Sequence, residues 1–276
     1  MLISKHDNSH DKIEDMILDK EFQQLIANPK ELSGKFVSNH WREYVKPKYD
    51  KQIYLPTKRP VTILTAGCTG AGKTEFSRSL LMKEEELFHA THKSNNAQYP
   101  KYVIADADDF YLELREKYHF TKDLRTKLNF VCIKFVERLT DHAIKNDQNL
   151  LIDSSFSTEK SLKNISRSLK HNRAVKVFYI FEQPQKAWYY TKAREQREGR
   201  KVSKEFFAKT YVGSREMINR ARKEFGNQIT FQPLQKAEDN QYGSNYSFIP
   251  IDRQSTGVDK IIEQSYNIDD ILRMIK

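Results

Sequence analysis

Two cysteines among 276 residues, Cys68 and Cys132, are too few for a disulfide framework. No run approaches the roughly 20 apolar residues that a membrane-spanning helix needs. The opening segment, MLISKHDNSHDK, has no apolar stretch behind its charges, so a secretory signal is not expected. Together these absences predict a cytoplasmic, reduced protein with no membrane span. Glycine is scarce in the first 60 residues, where only Gly34 occurs. No segment repeats at a period of roughly 20 to 50 residues, which argues against a solenoid or propeller.

What is present is charge and enough apolar residue for a core. Hydrophobic residues make up 38% and aromatics 12% of the chain, against 30% charged residues and a mean hydropathy of −0.76. The 47 Lys and Arg exceed the 37 Asp and Glu by ten, with a pI near 9.3. That excess suits nucleic acid, an anionic surface or small polyphosphates, and by itself selects none of them.

Along the chain, segment 11–27 carries Ile13, Met16, Ile17, Phe22 and Ile26 at helical spacing, and Asn28-Pro29 should end that helix. A second amphipathic stretch runs from Glu31 to Val45, and Pro47, Pro56 and Pro60 then break the chain into an extended lead-in. Residues 1–60 thus read as an N-terminal helical appendage and 61–276 as the main domain. From residue 61 short apolar runs alternate with helical segments. The runs are VTILTA (61–66), YVIADA (102–107), NLLIDS (149–154) and VKVFYIF (175–181), with weaker candidates at 228–234 and 247–251. The helical segments fall at 73–89, 121–146, 158–171, 185–198 and 203–225, and one or two closing helices within 257–276. Residues 236–247 read as a mobile loop. The pattern predicts an α/β fold with a parallel sheet flanked by helices.

Gly67-Cys68-Thr69-Gly70-Ala71-Gly72-Lys73-Thr74 fits G-x-x-x-x-G-K-[ST] without a mismatch, between a strand and a helix. The glycines let successive N–H groups point into one concavity at a helix N-terminus, where phosphate is favoured. In such a loop Lys73 reaches the β- and γ-phosphates and the Thr74 hydroxyl ligates Mg²⁺. The expected ligand is ATP or GTP, and a chance glycine-rich turn is the bland alternative.

Three further segments carry candidate chemistry. Strand 102–107 leads into Asp106-Ala107-Asp108-Asp109-Phe110. Asp108 is the candidate base for a substrate hydroxyl, with Asp106 orienting the loop or the metal or binding substrate, and an Asp-rich helix cap is the alternative. The strand Leu150–Asp153 ends in an acid that can serve Mg²⁺ or substrate, and Ser154, Ser155 and Ser157 follow it. Ser157 or Thr158 can cap the next helix while Asp153 and Ser155 face the cleft. Arg194, Arg197 and Arg200 are spaced by three, with Gly199 placed to break the helix before Arg200. They read either as a lid over about 185–204 that neutralises transferred phosphate or as a solvated helix face.

In order and in residue type these elements resemble the zeta-toxin family of P-loop kinases over about residues 60–225. The resemblance rests on Gly67–Thr74, on Asp106-Ala107-Asp108-Asp109-Phe110, on Leu150–Ser155 and on the arginine segment. It implies that Asp108 is the base, that Asp153 and Ser155 are the strand-end acid and hydroxyl, and that Arg197 and Arg200 are the lid arginines, with Arg194 a competing assignment. It also implies ATP- or GTP-dependent phosphorylation of the 3′-hydroxyl of UDP-N-acetylglucosamine, and a small helical antitoxin that occludes the nucleotide site. Two positions depart from the family's pattern. Ser157 stands where an Arg is frequent, and Thr69 where the usual loop has Pro. The family also has members that act on NAD. The N-terminal helix is a candidate for restraint in cis or for docking an antitoxin. Competing readings are a nucleoside or polynucleotide kinase, which the charge suits, and a nucleotide-gated binding protein. The last lacks support from any N-K-x-D guanine motif.

Overall fold

A computed structural model describes residues 19–92, 98–237, 248–251 and 265–276. The chain forms two compact units. Of the described residues, those within 19–48 and 106–139 form one unit, and those within 49–105 and 140–276 the other.

In the first unit, α1 (Lys20–Ala27) starts at Asp19, whose side chain accepts from Glu21 N. Residues 11–18 of the expected helix lie outside the described residues. Asn28 ends α1, and Pro29 opens α2 (Pro29–Tyr44), a position where proline costs no hydrogen bond. These helices share an aromatic core with α4 (Ala107–Tyr118) and the first part of α5 (Arg125–Lys145). Phe22 stacks on Tyr118 with centroids 3.8 Å apart, and Phe135 meets both Phe36 at 6.3 Å and Phe110 at 5.2 Å. The described part of the N-terminal segment therefore divides. Residues 19–48 pack with 106–139, and the lead-in from Tyr49 belongs to the other unit.

The second unit is built on a six-stranded sheet. Its strands are β1 (Val61–Ala66), β2 (Val103–Asp106), β3 (Leu150–Asp153), β4 (Ala174–Phe181), β5 (Thr230–Lys236) and β6 (Phe248–Pro250), in the order β2-β3-β1-β4-β5-β6. β1 pairs in parallel with β3 (Leu64 beside Ile152) and with β4 (Ala66 beside Tyr179), and β4 pairs in parallel with β5. β6 closes the edge antiparallel to β5. Ile63, Leu64, Leu150, Leu151 and Val177 are fully buried, as expected of strands covered on both faces. The covering helices are α3 (Lys73–Thr91), α6 (Glu159–Lys170), α7 (Pro184–Glu198), α8 (Lys204–Phe225) and α9 (Ile268–Met274). Of the loop expected over 236–247, Lys236 instead ends β5 and residues 238–247 lie outside the described residues, as do residues 257–264 of the closing segment.

One helix was absent from the sequence reading. α4 begins at Ala107, immediately after the strand that was expected to end there. Its buried positions are Phe110, Tyr111, Leu114 and Tyr118, while Leu112 is 51% exposed. Treating Leu112 as core and Tyr111 as polar mimics a strand's alternation and hides the helical period.

Candidate phosphate-binding site

The loop between β1 and α3 is wedged against the end of β4 and the start of α7. Gly67, Gly70 and Gly72 have φ of 142°, 81° and 95°, which side chains resist. A Cβ on Gly67 would lie 2.5 Å from the Ile180 carbonyl oxygen. A Cβ on Gly70 would collide with the Ala187 carbonyl and stand 2.7 Å from Thr191 Oγ1. Gly72 is the N-cap of α3, so the first free N–H groups of that helix open onto the loop. Thr74, the second residue of α3, is partly buried beside it.

Lys73 Nζ donates to the Cys68 carbonyl at 2.9 Å, which folds its side chain back along the loop. Burial pushes the Lys73 pKa down; the Asp153 carboxylate opposes that shift, and Arg200 and Arg194 add to it. The charges of Asp153, Arg194 and Arg200 thus all act on Lys73. An ammonium desolvated beside two guanidiniums is a setting that a polyphosphate would relieve. Burial pushes the Cys68 thiol up to about 12, so it stays protonated within the loop.

Asp153 is held by β1. Thr65 Oγ1 donates to Asp153 Oδ1 at 2.7 Å and accepts from Ser154 N at 3.2 Å. The Ser155 carbonyl accepts from Gly67 N at 3.3 Å, tying the turn after β3 to the first residue of the loop. Ser155 Oγ and Ser157 Oγ share a hydrogen bond of 2.7 Å. Thr158 occupies the N-cap position of α6 without a side-chain cap bond, so of the two expected caps it holds the position and Ser157 pairs with Ser155 instead.

In the arginine segment Gly199, at φ 67°, ends α7, and Arg200 lies in the connection to Ser203, the N-cap of α8. Arg194 and Arg197 both reach Glu198, at 2.6 and 2.8 Å, and lower its pKa against the opposing effect of burial. Arg197 is the more exposed of that pair, 61% against 33% for Arg194.

Asp106 and Asp108 belong to the first unit. Asp106 is the N-cap of α4 and accepts from Asp108 N at 2.9 Å, so the capping role weighed from the sequence falls to Asp106. Burial raises the nearby Cys132 thiol to about 12, with Asp108 and Asp106 adding to the shift.

Sequence reasoning overlooked Thr65, an apolar-looking member of VTILTA, and Glu182. The latter is 2% exposed just beyond β4; its Oε1 accepts from Gln183 N at 3.0 Å and its Oε2 lies 3.7 Å from Lys186 Nζ. No local spacing signals either residue.

A mostly parallel sheet with this loop between a central strand and its helix defines a P-loop protein. Residues 46–245 match the family described as zeta toxin, and the chain belongs to that family, whose members are kinases. No curated protein sequence matches it. Among solved structures, one from the characterization of the PezAT chromosomal toxin–antitoxin system of the human pathogen Streptococcus pneumoniae is 19% identical. The match covers 92% of each chain with a TM-score of 0.53. A structure of AvrRxo1-ORF1:AvrRxo1-ORF2 with sulphate ions is 13% identical over 95% of this chain and 79% of the other, with a TM-score of 0.55. The same complex with ATP is 14% identical over 91% and 73%, with a TM-score of 0.51. Among the described residues no helix is long and apolar enough to cross a membrane.

Proposed function

We propose that the protein transfers the γ-phosphoryl group of ATP or GTP to a hydroxyl of a small molecule, and that this acceptor is the 3′-hydroxyl of UDP-N-acetylglucosamine. The observation that carries the donor half is the loop itself, in which Gly67, Gly70 and Gly72 take positive φ at the N-terminus of α3 and Lys73 folds back onto the Cys68 carbonyl. Family membership carries the acceptor half.

In this reading Gly67–Thr74 cradles the phosphates with its N–H groups, and Lys73 spans the β- and γ-phosphates. Arg194 and Arg200 offset charge on the transferred group, with Arg197 at the periphery. Asp108 accepts the proton of the acceptor hydroxyl. Asp106 and Ser155 serve the acceptor. Among the described residues no cluster of three or more His, Cys, Asp or Glu could hold a metal ion. Thr74 and Asp153, one hydroxyl and one carboxylate, fit the donor set that holds nucleotide-bound Mg²⁺, which keeps phosphate and water ligands as well. When bound, Mg²⁺ would neutralise phosphate charge. A proteinaceous antitoxin is the expected partner, as one of the structural relatives comes from a toxin–antitoxin system.

One observation favours a second acceptor class. Ser157, where the family often has Arg, bonds Ser155 and offers no charge to a diphosphate. Nucleosides, which carry no phosphate, are therefore the next acceptors to try, with NAD and oligonucleotide ends after them.

The test is to incubate wild type and Lys73→Ala with Mg²⁺, ATP or GTP, and UDP-N-acetylglucosamine, and to follow the sugar nucleotide by mass spectrometry. A gain of one phosphoryl group with wild type alone is expected. Nucleotide binding without that gain removes this acceptor and turns the search to the second class.

A further inference from the structure

Four non-glycine residues among those described have positive φ: His119, Asp147, Phe156 and Asn172. His, Asp and Asn enter this region readily, and all three of those residues are exposed. Phe156 is different. Its φ is 56° and its side chain is 1% exposed, so a bulky residue is held in a disfavoured conformation inside the core. Core filling alone does not require that conformation, since an extended residue can bury a ring equally well.

The turn around Phe156 explains what the left-handed residue accomplishes. On its N-terminal side, the Ser155 carbonyl accepts from Gly67 N, the first residue of the phosphate loop, and Asp153 and Ser154 are bonded to Thr65. Phe156 N itself donates to Ser154 Oγ at 3.3 Å. On its C-terminal side, Ser157 rests on α8. A Cβ on Gly213 would lie 2.8 Å from the Ser157 carbonyl oxygen and 3.2 Å from its Cβ. Reversing the chain at Phe156 lets the residues on its two sides, Ser155 and Ser157, serve opposite neighbours, the loop on one side and α8 on the other. α8 is also the helix that follows the arginine segment, starting four positions after Arg200 and capped by Ser203.

We propose that Phe156 is a positioning residue for phosphoryl transfer: its left-handed, core-anchored turn, clamped by α8 at Gly213, holds Asp153 and Ser155 in register with the phosphate loop. This rests on the kinase reading for its consequence, and on the geometry alone for the mechanical link. Phe156 touches no reactant; it acts through the Ser155 carbonyl and the Asp153 carboxylate. The link also gives Gly213 a purpose within a helix, where glycine is otherwise unfavourable.

The experiment uses the full chain with Phe156→Gly, Phe156→Leu and Gly213→Ala. Phe156→Gly relieves the backbone and removes the anchor, whereas Phe156→Leu keeps an apolar anchor. Gly213→Ala pushes on the turn while leaving the core side chain in place, so it remains informative should Phe156→Gly fail to fold. The first readout, independent of any activity, is amide hydrogen exchange in peptides spanning 62–72, with 174–181 as an internal control. Exchange at Gly67 should rise by about tenfold in Phe156→Gly and Gly213→Ala, with β4 unchanged. The second readout is transfer: kcat should fall by about tenfold or more while the nucleotide KM stays within about threefold, because misplacement penalises the reacting geometry more than binding. Phe156→Leu should restore most of both. Wild-type exchange at Gly67 and wild-type kcat in Gly213→Ala would overturn the proposal. So would a loss in Phe156→Gly confined to melting temperature. Faster exchange at Gly67 in a protein that phosphorylates no acceptor would uphold the link and remove the kinase reading instead.

Discussion

Thr65 Oγ1 donates a 2.7 Å hydrogen bond to Asp153 Oδ1, joining side chains 88 positions apart at the ends of neighbouring strands. Thr65 is fully buried, so this bond cannot be exchanged for water. It orients the carboxylate at the end of β3. If Asp153 serves Mg²⁺, Thr65→Val should raise the Mg²⁺ concentration for half-maximal transfer by roughly 10-fold or more, as outer partners of metal ligands commonly do. An unchanged Mg²⁺ titration would show that Asp153 works without the metal.

Asp108→Asn keeps the shape of the side chain and removes its capacity to take a proton. Transfer should slow by a factor on the order of 10² or more, with nucleotide affinity nearly intact. Single-turnover transfer and equilibrium nucleotide binding separate the two. A near-normal rate would assign the base elsewhere.

Gly70→Ala places a methyl against the Ala187 carbonyl and Thr191 Oγ1 at φ 81°. A cost of roughly 2 kcal/mol or more is expected, together with loss of nucleotide binding. Gly34→Ala, with nothing within 4 Å of the new Cβ and an ordinary helical setting in α2, should instead be neutral or stabilise by about 0.5–1 kcal/mol. Thermal denaturation of the two variants side by side tests whether the loop glycine is required by contact.

The three arginines should not contribute equally. Arg194 and Arg200 act on Lys73, whereas Arg197, which shares Glu198 with Arg194, is 61% exposed. Arg194→Ala and Arg200→Ala should each lower kcat by about tenfold or more, and Arg197→Ala by less than about threefold. Equal losses for all three would place Arg197 over the phosphates too.

Burial pushes the Glu182 carboxyl above the usual carboxylate range. The folded protein then holds that proton to higher pH than the unfolded chain does, so folding takes up a proton between the two pKa values. This group's contribution therefore declines as pH rises from the ordinary carboxylate range through the raised value. Glu182→Gln keeps an acceptor for Gln183 N and removes the titration. Its melting temperature should exceed that of wild type at neutral pH, with the gap closing as pH falls into the carboxylate range. A gap that persists in acid would point to packing instead.

Much of the nucleotide side of the site was legible because it is contiguous. A single stretch of eight residues carries the glycines, Lys73 and Thr74, and the flanking apolar run and helix announce the strand–loop–helix around it. The strands β1, β3 and β4 were readable for a related reason: burial on both faces demands nearly unbroken apolar runs. α4 was not, because Tyr111 is buried and Leu112 exposed, against their usual preferences. Nor was the packing of α1 and α2 with residues 106–139, since amphipathic helices reveal that they have a partner and not which one.

By itself the sequence determined the class of fold, the phosphate loop and the family, because each rests on local residue types whose chemistry is complete within one segment. Only the tertiary structure decided that Thr65 holds Asp153, that Ser155 bonds Gly67 and that Gly213 admits Ser157. Those relations join residues from 56 to 88 positions apart, counting Gly213 against Ser157 and Asp153 against Thr65. They arise from strand order and helix packing, which are set by burial of the whole sheet and leave no local trace in composition or spacing.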